Sequence, residues 1–182
     1  FLNQTWRLNS NICQFTYKSF YDNRLTSNHI TDKRLLRHHN DTVPSDGIVL
    51  ASCDHNGCIQ RSEEEGVIVR DIYKDFIGTQ LQDGDDIRII GYQDILVVTP
   101  YNVQVNYLKS ILPDGAMVGT VDKFQGQEAP ITIISMTSSD TENLPRHKSF
   151  FFNRNRLNVA ISRAQSASII LFNPRLLDTA PA

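Results

Sequence analysis

The sequence predicts an α/β domain in which helices cover both faces of a mostly parallel sheet. Short runs of β-branched and other apolar residues alternate with segments of helical periodicity, most regularly in the second half of the chain. These runs are apolar at consecutive positions, as in Asp94–Thr99, which is typical of parallel strands buried on both faces. With 182 residues, of which 40% are hydrophobic, the chain is long enough to bury the core of one such domain, and residues 1–182 are interpreted as a single domain.

The individual elements follow from periodicity and from end signals. Helices are predicted at Asn9–Tyr21, Ser62–Ile77, Asn102–Leu112 and Asn153–Ala164. The second helix begins with Ser-Glu-Glu-Glu, and both a serine cap and acidic residues suit the positive end of a helix dipole. Strands are predicted at Gly47–Cys53, Asp94–Thr99, Ala116–Val121, Ile131–Met136 and Ala167–Phe172. Two polar segments, Asp22–Pro44 and Leu81–Tyr92, are predicted to be loops.

The charge balance excludes a protein that is basic overall. The formal net charge is −2, so a contact with nucleic acid would need a local patch. The conspicuous basic cluster comprises Lys33, Arg34, Arg37, His38 and His39. A solvated loop is the preferred interpretation of this cluster, with a nucleic-acid contact as the alternative.

Cysteine usage predicts a reduced, intracellular protein, and we expect a cytoplasmic location. The three cysteines are too few and too unevenly spaced for a disulfide framework. Cys53 and Cys58 flank His55, but no second pair of ligands follows at zinc spacing, so a polar turn without metal is expected there. No run approaches the length that spans a membrane. The chain begins at Phe1, which suggests a piece of a longer protein.

Two polar features predict a site that handles phosphate. The turn Thr120–Glu128 lies between two apolar runs, and the predicted helix after Asn153 carries Arg156 and Arg163 seven residues apart, roughly on one face. Aligned guanidinium groups suit phosphate recognition. Ligands of parallel sheets collect at the carboxyl ends of strands, where we expect both this turn and Thr99–Asn102. The phosphate-cradling pattern G-x-x-x-x-G-K-[ST] is absent, which indicates one half of a nucleotide-binding pair.

Four segments, in order, resemble motifs of superfamily 1B helicases. They are TWRLN at Thr5–Asn9, VVTPYNVQV at Val97–Val105, VGTVDKFQGQE at Val118–Glu128 and RLNVAISRA at Arg156–Ala164. The resemblance is to the second RecA-like domain of the helicase core and covers nearly the whole chain, so it implies a RecA-like three-layer fold. The sequence VDKFQGQEAP, together with a Phe-rich stretch before NRLNVA, looks most like bacterial helicase modules fused to RecB-like nuclease domains.

The resemblance implies roles for individual residues. Arg163 matches an arginine finger that reaches the γ-phosphate of ATP, and Arg7 matches a second γ-phosphate arginine. The other residues matched to ATP contacts are Trp6, Gly126, Gln127, Glu128 and Arg156, with Trp6 in place of a tyrosine stacked on adenine and Glu128 accepting hydrogen bonds from the ribose. Those matched to contacts with a single strand are Thr99, Pro100, Tyr101, Thr120 and Asp122.

Structural roles are open for the same residues. The arginines could pair with local carboxylates, Trp6 could anchor the first helix in the core, and Thr99 or Asp122 could end a strand or cap a turn. The chain departs from the helicase pattern at Leu8–Ser10, where Leu-Asn-Ser replaces Met-His-Pro, and we expect this change to alter local packing.

The expected function is therefore the C-terminal motor domain of an ATP-dependent helicase or translocase. The resemblance implies ATP with magnesium, held mainly by a first RecA-like domain in the same polypeptide, and single-stranded nucleic acid, with DNA favoured. It also implies a possible attached nuclease domain and an isolated chain without activity. The alternatives are an RNA helicase domain and a non-catalytic module that binds nucleic acid or a partner.

Overall fold

A computed structural model describes residues 4–20, 26–37, 44–139 and 154–178. The helices are α1 (Ser10–Phe20), α2 (Glu63–Phe76), α3 (Asn102–Ile111), α4 (Arg154–Ile161) and α5 (Arg175–Asp178). The strands are β1 (Gln4–Thr5), β2 (Thr26–Ser27), β3 (Arg34–Arg37), β4 (Gly47–Ser52), β5 (Gln80–Asp83), β6 (Asp86–Ile89), β7 (Ile95–Val98), β8 (Met117–Gly119), β9 (Ala129–Ser135) and β10 (Ala164–Phe172). Short 3₁₀ turns occupy His29–Lys33, Tyr92–Asp94 and Asp122–Phe124.

The main sheet of the described residues has five parallel strands in the order β4-β10-β9-β7-β8. The central pair is β9 and β10, in register from Ile131 opposite Ala167 to Ser135 opposite Leu171. Each strand was predicted from its apolar run, and the α/β RecA-like class with a parallel sheet flanked by helices is confirmed.

The core lies on both faces of this sheet because alternate residues of each strand point to opposite sides. On one face, Ile95 and Val97 of β7 belong to a cluster that includes the buried residues of α2 and α3. On the other face, Leu96 and Val98 belong to a cluster that includes residues of α1 and α4, with Ile12 fully buried. The inner strands β7, β9 and β10 are buried along most or all of their length because helices cover both faces of the sheet there.

The loop predictions for Asp22–Pro44 and Leu81–Tyr92 were wrong in their described parts. Strands β3, β5 and β6 form a three-stranded antiparallel sheet, and Gly84 forms the β5–β6 turn with φ +67°. Leu36 of β3 faces Leu81 of β5, and both side chains are buried in the core. The strands have four residues each and little apolar content, so their alternation is too short to be distinguished from a polar loop. Residues 22–25 and 38–43, including His38 and His39, lie outside the described residues.

The last helix predicted from the sequence, which is α4, is shorter than predicted. It ends at Ile161 rather than Ala164, because Ala164 already pairs with Ala129 as the first residue of β10. Its predicted start at Asn153 lies outside the described residues. In the parts of the chain that the structure describes, every helix is too short or too polar to cross a membrane.

Tyr73 offers a test of the packing of α2. Its hydroxyl is buried without a hydrogen-bond partner among the described residues, and burial, with the nearby Tyr92, raises the pKa of Tyr73 to about 12. We expect Tyr73→Phe to leave the free energy of unfolding unchanged or to raise it by about 1 kcal/mol, because the variant buries no unpaired hydroxyl. Urea unfolding followed by circular dichroism measures the change.

The matched control is Phe76→Ala in the same helix, which removes a fully buried ring and is expected to lower stability by about 3–5 kcal/mol. A loss above about 1 kcal/mol for Tyr73→Phe would show that the hydroxyl has a partner in solution.

Candidate functional site

Three residues distant in sequence converge beside the central strands. Glu128 directly precedes β9 and Arg163 directly precedes β10, and the amide of Ala129 donates to the carbonyl of Arg163 at 3.1 Å. Arg7 lies in the turn between β1 and α1 and donates through Nε to Oε2 of Glu128. The other carboxylate oxygen accepts from Nε2 of Gln165 at 2.9 Å. The parallel register of β9 and β10 therefore places Glu128, Arg163 and their neighbours side by side.

The charges in this cluster do not balance. In the described part of the chain, Glu128 is the carboxylate paired with Arg7, and Arg163 has no ion pair of its own. Arg163 is 9% exposed, its Nη1 donates to the carbonyl of Gln127 at 3.1 Å, and its Nε is buried without a partner among the described residues. Burial, and secondarily the charge of Arg7, lowers the pKa of Arg163. A buried cation with few partners is costly, so this site favours an added anion.

A cavity of about 270 Å³ adjoins Arg163. Its lining residues are Val121, Asp122, Gln125, Asn155, Arg156, Val159 and Arg163. Arg156 and Arg163 share this cavity, as their spacing predicted, although Arg163 lies in the turn after α4 and not within the helix. Arg156 Nη2 lies 3.9 Å from Oδ2 of Asp122, so Asp122 belongs to the surroundings of the arginines.

Trp6 and Gly126 take positions that suit a ligand. Trp6 is 62% exposed, so the interpretation of it as a core anchor was wrong and its ring is free to stack. Gly126 has φ +81° and open space where a Cβ would be, so its requirement for glycine is conformational and not one of close approach. Gln127 is exposed and contributes its carbonyl to Arg163.

The departure at Leu8–Ser10 serves local packing, as expected. Leu8 is buried, and the side chain of Asn9 caps α1 by accepting from the amide of Ile12 at 3.0 Å. Asn9 Nδ2 also donates to the carbonyl of Ser166 at 3.1 Å. The segment that carries Trp6 and Arg7 is therefore anchored to the start of β10.

The residues matched to single-strand contacts lie largely at the opposite end of the sheet. Thr99, Pro100 and Tyr101 follow β7, and Thr120 follows β8, all at carboxyl ends. The turn Thr120–Glu128 starts at a carboxyl end but finishes at the amino end of β9, so the prediction that the whole turn lies at the carboxyl ends was wrong. β9 has seven residues and separates the two ends by about 20 Å.

The loop after β7 is packed rather than open. Thr99 is fully buried, and its hydroxyl lies 3.0 Å from that of Thr137. Tyr101 is partly buried, and its phenol oxygen accepts from Oγ of Ser138. Burial raises the pKa of Tyr101, partly offset by this hydrogen bond. The structure therefore gives Thr99 a packing role and leaves the exposed Asn102 and the partly exposed Pro100, Tyr101 and Thr120 at the surface of this end.

Sequence reasoning missed a buried polar network beneath this loop. Glu65 of α2 is fully buried, and its Oε2 accepts from the hydroxyl of Ser135 at 2.6 Å and from the amide of Thr137 at 2.8 Å. His55 Nε2 lies 3.2 Å from Oε1 of Glu65, and its Nδ1 lies 2.7 Å from Oγ of Ser139. Glu65 was hidden in an acidic first turn, whose spacing is equally typical of solvated helix ends.

The same network includes His55, which lies between Cys53 and Cys58. Both ring nitrogens of His55 contact Glu65 and Ser139. Burial raises the pKa of Cys53 to about 11, which disfavours the thiolate that a metal requires. No group of three His, Cys, Asp or Glu side chains among the described residues could hold a metal ion.

Thr137 adopts a left-handed backbone conformation, with φ +73°, that is unfavourable for a β-branched residue. Glu65 stabilises this turn by accepting from the Thr137 amide, so the carboxyl end of β9 depends on a buried carboxylate.

Comparison with known proteins assigns the chain to a family. A family model described as an AAA domain matches residues 1–175. The chain belongs to this AAA domain family. Two fungal proteins, each named DNA polymerase alpha-associated DNA helicase A, align with nearly all of this AAA domain. That of Saccharomyces cerevisiae is 29% identical over 97% of the chain, and that of Schizosaccharomyces pombe is 31% identical over 90%.

Other relatives of this AAA domain are RNA helicases. The RNA helicase Mov10l1 of Mus musculus is 37% identical over 48% of the chain. The chain spans 28% and 26% of the two fungal relatives and 8% of Mov10l1. A solved structure of PRRSV nsp10 (helicase) aligns with 98% of this chain, and the alignment spans 26% of the nsp10 chain, with 19% identity and a TM-score of 0.42. The resemblance to helicases is confirmed, whereas the finer resemblance to nuclease-fused modules stays a prediction.

The buried network gives a test at the carboxyl end of β9. We expect Glu65→Ala to lower the free energy of unfolding by about 3 kcal/mol, because it removes the buried acceptor of the Thr137 amide and one partner each of Ser135 and His55. Glu65→Gln keeps an acceptor and is expected to lose less. The control is Glu63→Ala in the same helical turn, where an exposed pair with Arg61 contributes less than about 1 kcal/mol. Equal losses in Glu65→Ala and Glu63→Ala would contradict the role of the network.

Proposed function

We propose that this chain is the second motor domain of an ATP-dependent helicase or translocase. Its family, and the helicase names of its relatives, support this activity for the longer protein. The observation that carries the proposal is the excess positive charge at one end of the sheet, where, among the described residues, the carboxylate of Glu128 pairs with Arg7 and Arg163 lies nearby without an ion pair of its own. The γ-phosphate of ATP is an anion of the kind that this site lacks.

Arg163 acts as the arginine finger in this proposal. The guanidinium is held by the carbonyl of Gln127 and by the turn before β10, so it is oriented before ATP arrives. Phosphoryl transfer needs positive charge near the γ-phosphate oxygens, and a charge that is already oriented and partly desolvated is most effective there. In this proposal ATP and its magnesium are held mainly by another RecA-like domain of the same polypeptide, which would supply the lysine loop that this sequence lacks.

Arg7 changes partner in this proposal. Its ion pair with Glu128 is exposed on both sides, and such pairs contribute about 0.2–1 kcal/mol. ATP can therefore draw Arg7 to the phosphate at little cost, and the freed carboxylate of Glu128 can accept hydrogen bonds from the ribose hydroxyls. Exposed Trp6, next to Arg7, is placed to stack on the adenine.

DNA is the favoured nucleic acid. Two of the relatives that align with 90% or more of the chain are named DNA helicases, two others of that coverage are named as helicases without a nucleic acid, and Mov10l1, named an RNA helicase, aligns with 48%. An RNA helicase is the second candidate, because the shorter match to Mov10l1 has a higher identity than the matches to the two fungal DNA helicases. In either case the strand would lie at the carboxyl ends of β7 and β8, against Tyr101 and Thr120. A cytoplasmic location and an attached nuclease domain remain parts of the proposal.

The first test measures ATP hydrolysis by the longer protein, with and without single-stranded DNA. We expect Arg163→Ala to lower kcat by about 10³-fold or more, because the finger charge is lost. Arg70→Ala is the control, since Arg70 lies on α2 and pairs with exposed Asp71 far from the site. Equal turnover by wild type and Arg163→Ala would make Arg163 structural, and no turnover with DNA or RNA would favour a non-catalytic module.

A second test uses the 182-residue chain by itself. We expect weak ATP binding and negligible hydrolysis, because the sequence lacks the lysine loop that cradles phosphates. The measurement is phosphate release at high chain concentration with saturating ATP and magnesium. Turnover by this chain that disappears in Arg163→Ala would contradict the proposed division of work between two domains.

A further inference from the structure

We propose that Arg34 and Asp83, in the antiparallel sheet, are positioning residues that hold Trp6 and Arg7 in place for nucleotide. This inference rests on the proposed function, because it assigns the small sheet a role in the same site. Neither residue belongs to the four motifs that resemble helicases.

The contact joins the guanidinium of Arg34 to the backbone of Trp6 and Arg7. Nη1 of Arg34 donates to the carbonyl of Arg7 at 3.2 Å and lies 3.5 Å from the carbonyl of Trp6. Nε of the same guanidinium lies 3.1 and 3.2 Å from the two carboxylate oxygens of Asp83. The side chain of Arg34 is 19% exposed, so these bonds are partly shielded from water.

The sheet geometry fixes this arrangement. Arg34 and Asp83 are directly opposite each other in the antiparallel pair β3–β5, and Gly84 immediately ends β5 in a tight turn. Opposite charges at such cross-strand positions attract each other, and the turn limits the movement of Asp83. Asp83 therefore orients the guanidinium, and the guanidinium holds the two carbonyls.

The backbone of Trp6 and Arg7 lies between two anchored stretches and is held less firmly than either. Beyond it, Leu8 is buried and Asn9 is bound to Ser166, which fixes the far side of the segment. Before it, β1 has two residues, paired with β2. Trp6 is exposed and Arg7 is partly exposed, so their side chains restrain the backbone little. The Arg7 amide donates to Oγ1 of Thr5 at 3.2 Å, and the bonds from Arg34 hold the carbonyls of both residues. A restrained backbone lowers the conformational cost of placing a catalytic charge.

The contacts also bear on the basic cluster around Arg34. Both Arg34 and Arg37 bond within the antiparallel sheet, Arg37 to Oε1 of Gln82 at 2.8 and 2.5 Å. A nucleic-acid patch would need donors directed to solvent, whereas these two side chains use theirs on the protein. Arg37 is a matched control, since it lies on the same strand and bonds to the same neighbour strand but makes no contact with Trp6 or Arg7.

The first experiment uses Trp6 as its own probe, because it is the single tryptophan in the 182 residues. Time-resolved fluorescence anisotropy of this chain, without nucleotide, measures nanosecond motion of the Trp6 segment. We expect Arg34→Ala to increase the amplitude of fast depolarisation at least twofold, Arg34→Lys and Asp83→Asn to give intermediate values, and Arg37→Ala to match wild type. Circular dichroism checks that each variant is folded.

An unchanged anisotropy in Arg34→Ala, or an equal change in Arg37→Ala, would overturn the inference, since the effect would then be absent or would come from general loosening of the sheet. Should Arg34→Ala not fold, Arg34→Lys and Asp83→Asn decide, because both preserve side-chain volume.

The second experiment measures ATP hydrolysis by the longer protein. Positioning predicts that Arg34→Ala lowers kcat by about 10-fold to 100-fold, while the affinity for single-stranded DNA and the activity of Arg37→Ala stay unchanged. In Arg7→Ala, the further mutation of Arg34 should have no additional effect on kcat. Loss of activity in Arg7→Ala but not in Arg34→Ala would overturn the inference about Arg34 and leave the proposed function standing. No loss in Arg7→Ala or Arg163→Ala would overturn the proposed function, and the catalytic role of Arg34 with it.

Discussion

The parallel pairing of β9 with β10 is the constraint on which the rest of the molecule depends. Both strands are buried along most of their length, and their register places Ala129 opposite Ala164. The residues immediately before them, Glu128 and Arg163, are therefore neighbours although 35 positions separate them in sequence. A shift of one residue in either strand would turn its side chains to the opposite face and separate the two charges, so apolar burial fixes the geometry of a polar site.

This constraint also explains why the charged site is tolerated. Arg163 is buried, and its Nε has no hydrogen-bond partner within residues 4–20, 26–37, 44–139 and 154–178, which is an unfavourable arrangement for a charged side chain. The large apolar core on both faces of the sheet supplies the stability that offsets this cost. Residues that violate the ordinary pairing of buried charges are expected where a ligand completes them. Arg88 forms a contrast, because its two bonds to the carboxylate of Asp94 pair its charge within the fold.

Much of the fold could be predicted from the sequence, and the reason is physical. The run that became β7 is apolar at every position, the run that became β9 is rich in isoleucine, and Ser62 with the following glutamates marks the start of α2. The antiparallel sheet could not be predicted, because Leu81 is an isolated apolar residue and Leu36 belongs to a pair of leucines flanked by arginines, which is too short to show an alternation. Their burial depends on strands that pair across more than 40 positions, which local periodicity does not contain.

For the site, the motifs identified which residues matter, but spacing alone did not show where they lie. The convergence of Arg7 with Glu128 crosses 121 positions and depends on the fold. Glu65 and Arg34 were invisible for opposite reasons: Glu65 resembles a solvated helix end and is fully buried, whereas Arg34 resembles a solvated loop and bonds backbone carbonyls. Burial decides the role of a charged residue, and a single sequence does not report burial.

The two ends of the sheet differ in how firmly their polar groups are held, and this difference suits a motor domain. At the amino ends of β9 and β10, Arg7 and Glu128 form an exposed pair that can change partners at small cost. At the carboxyl ends, Glu65 fixes Thr137, and Thr137 contacts Thr99, all within the interior. An exchange of partners at one end therefore cannot loosen the other, and β9 between them is fully buried. Under the proposed function, a movement at the end of the sheet that carries Arg7 and Arg163 would reach the opposite loops through displacement of the whole sheet, which is the rigid-body behaviour expected of a packed core.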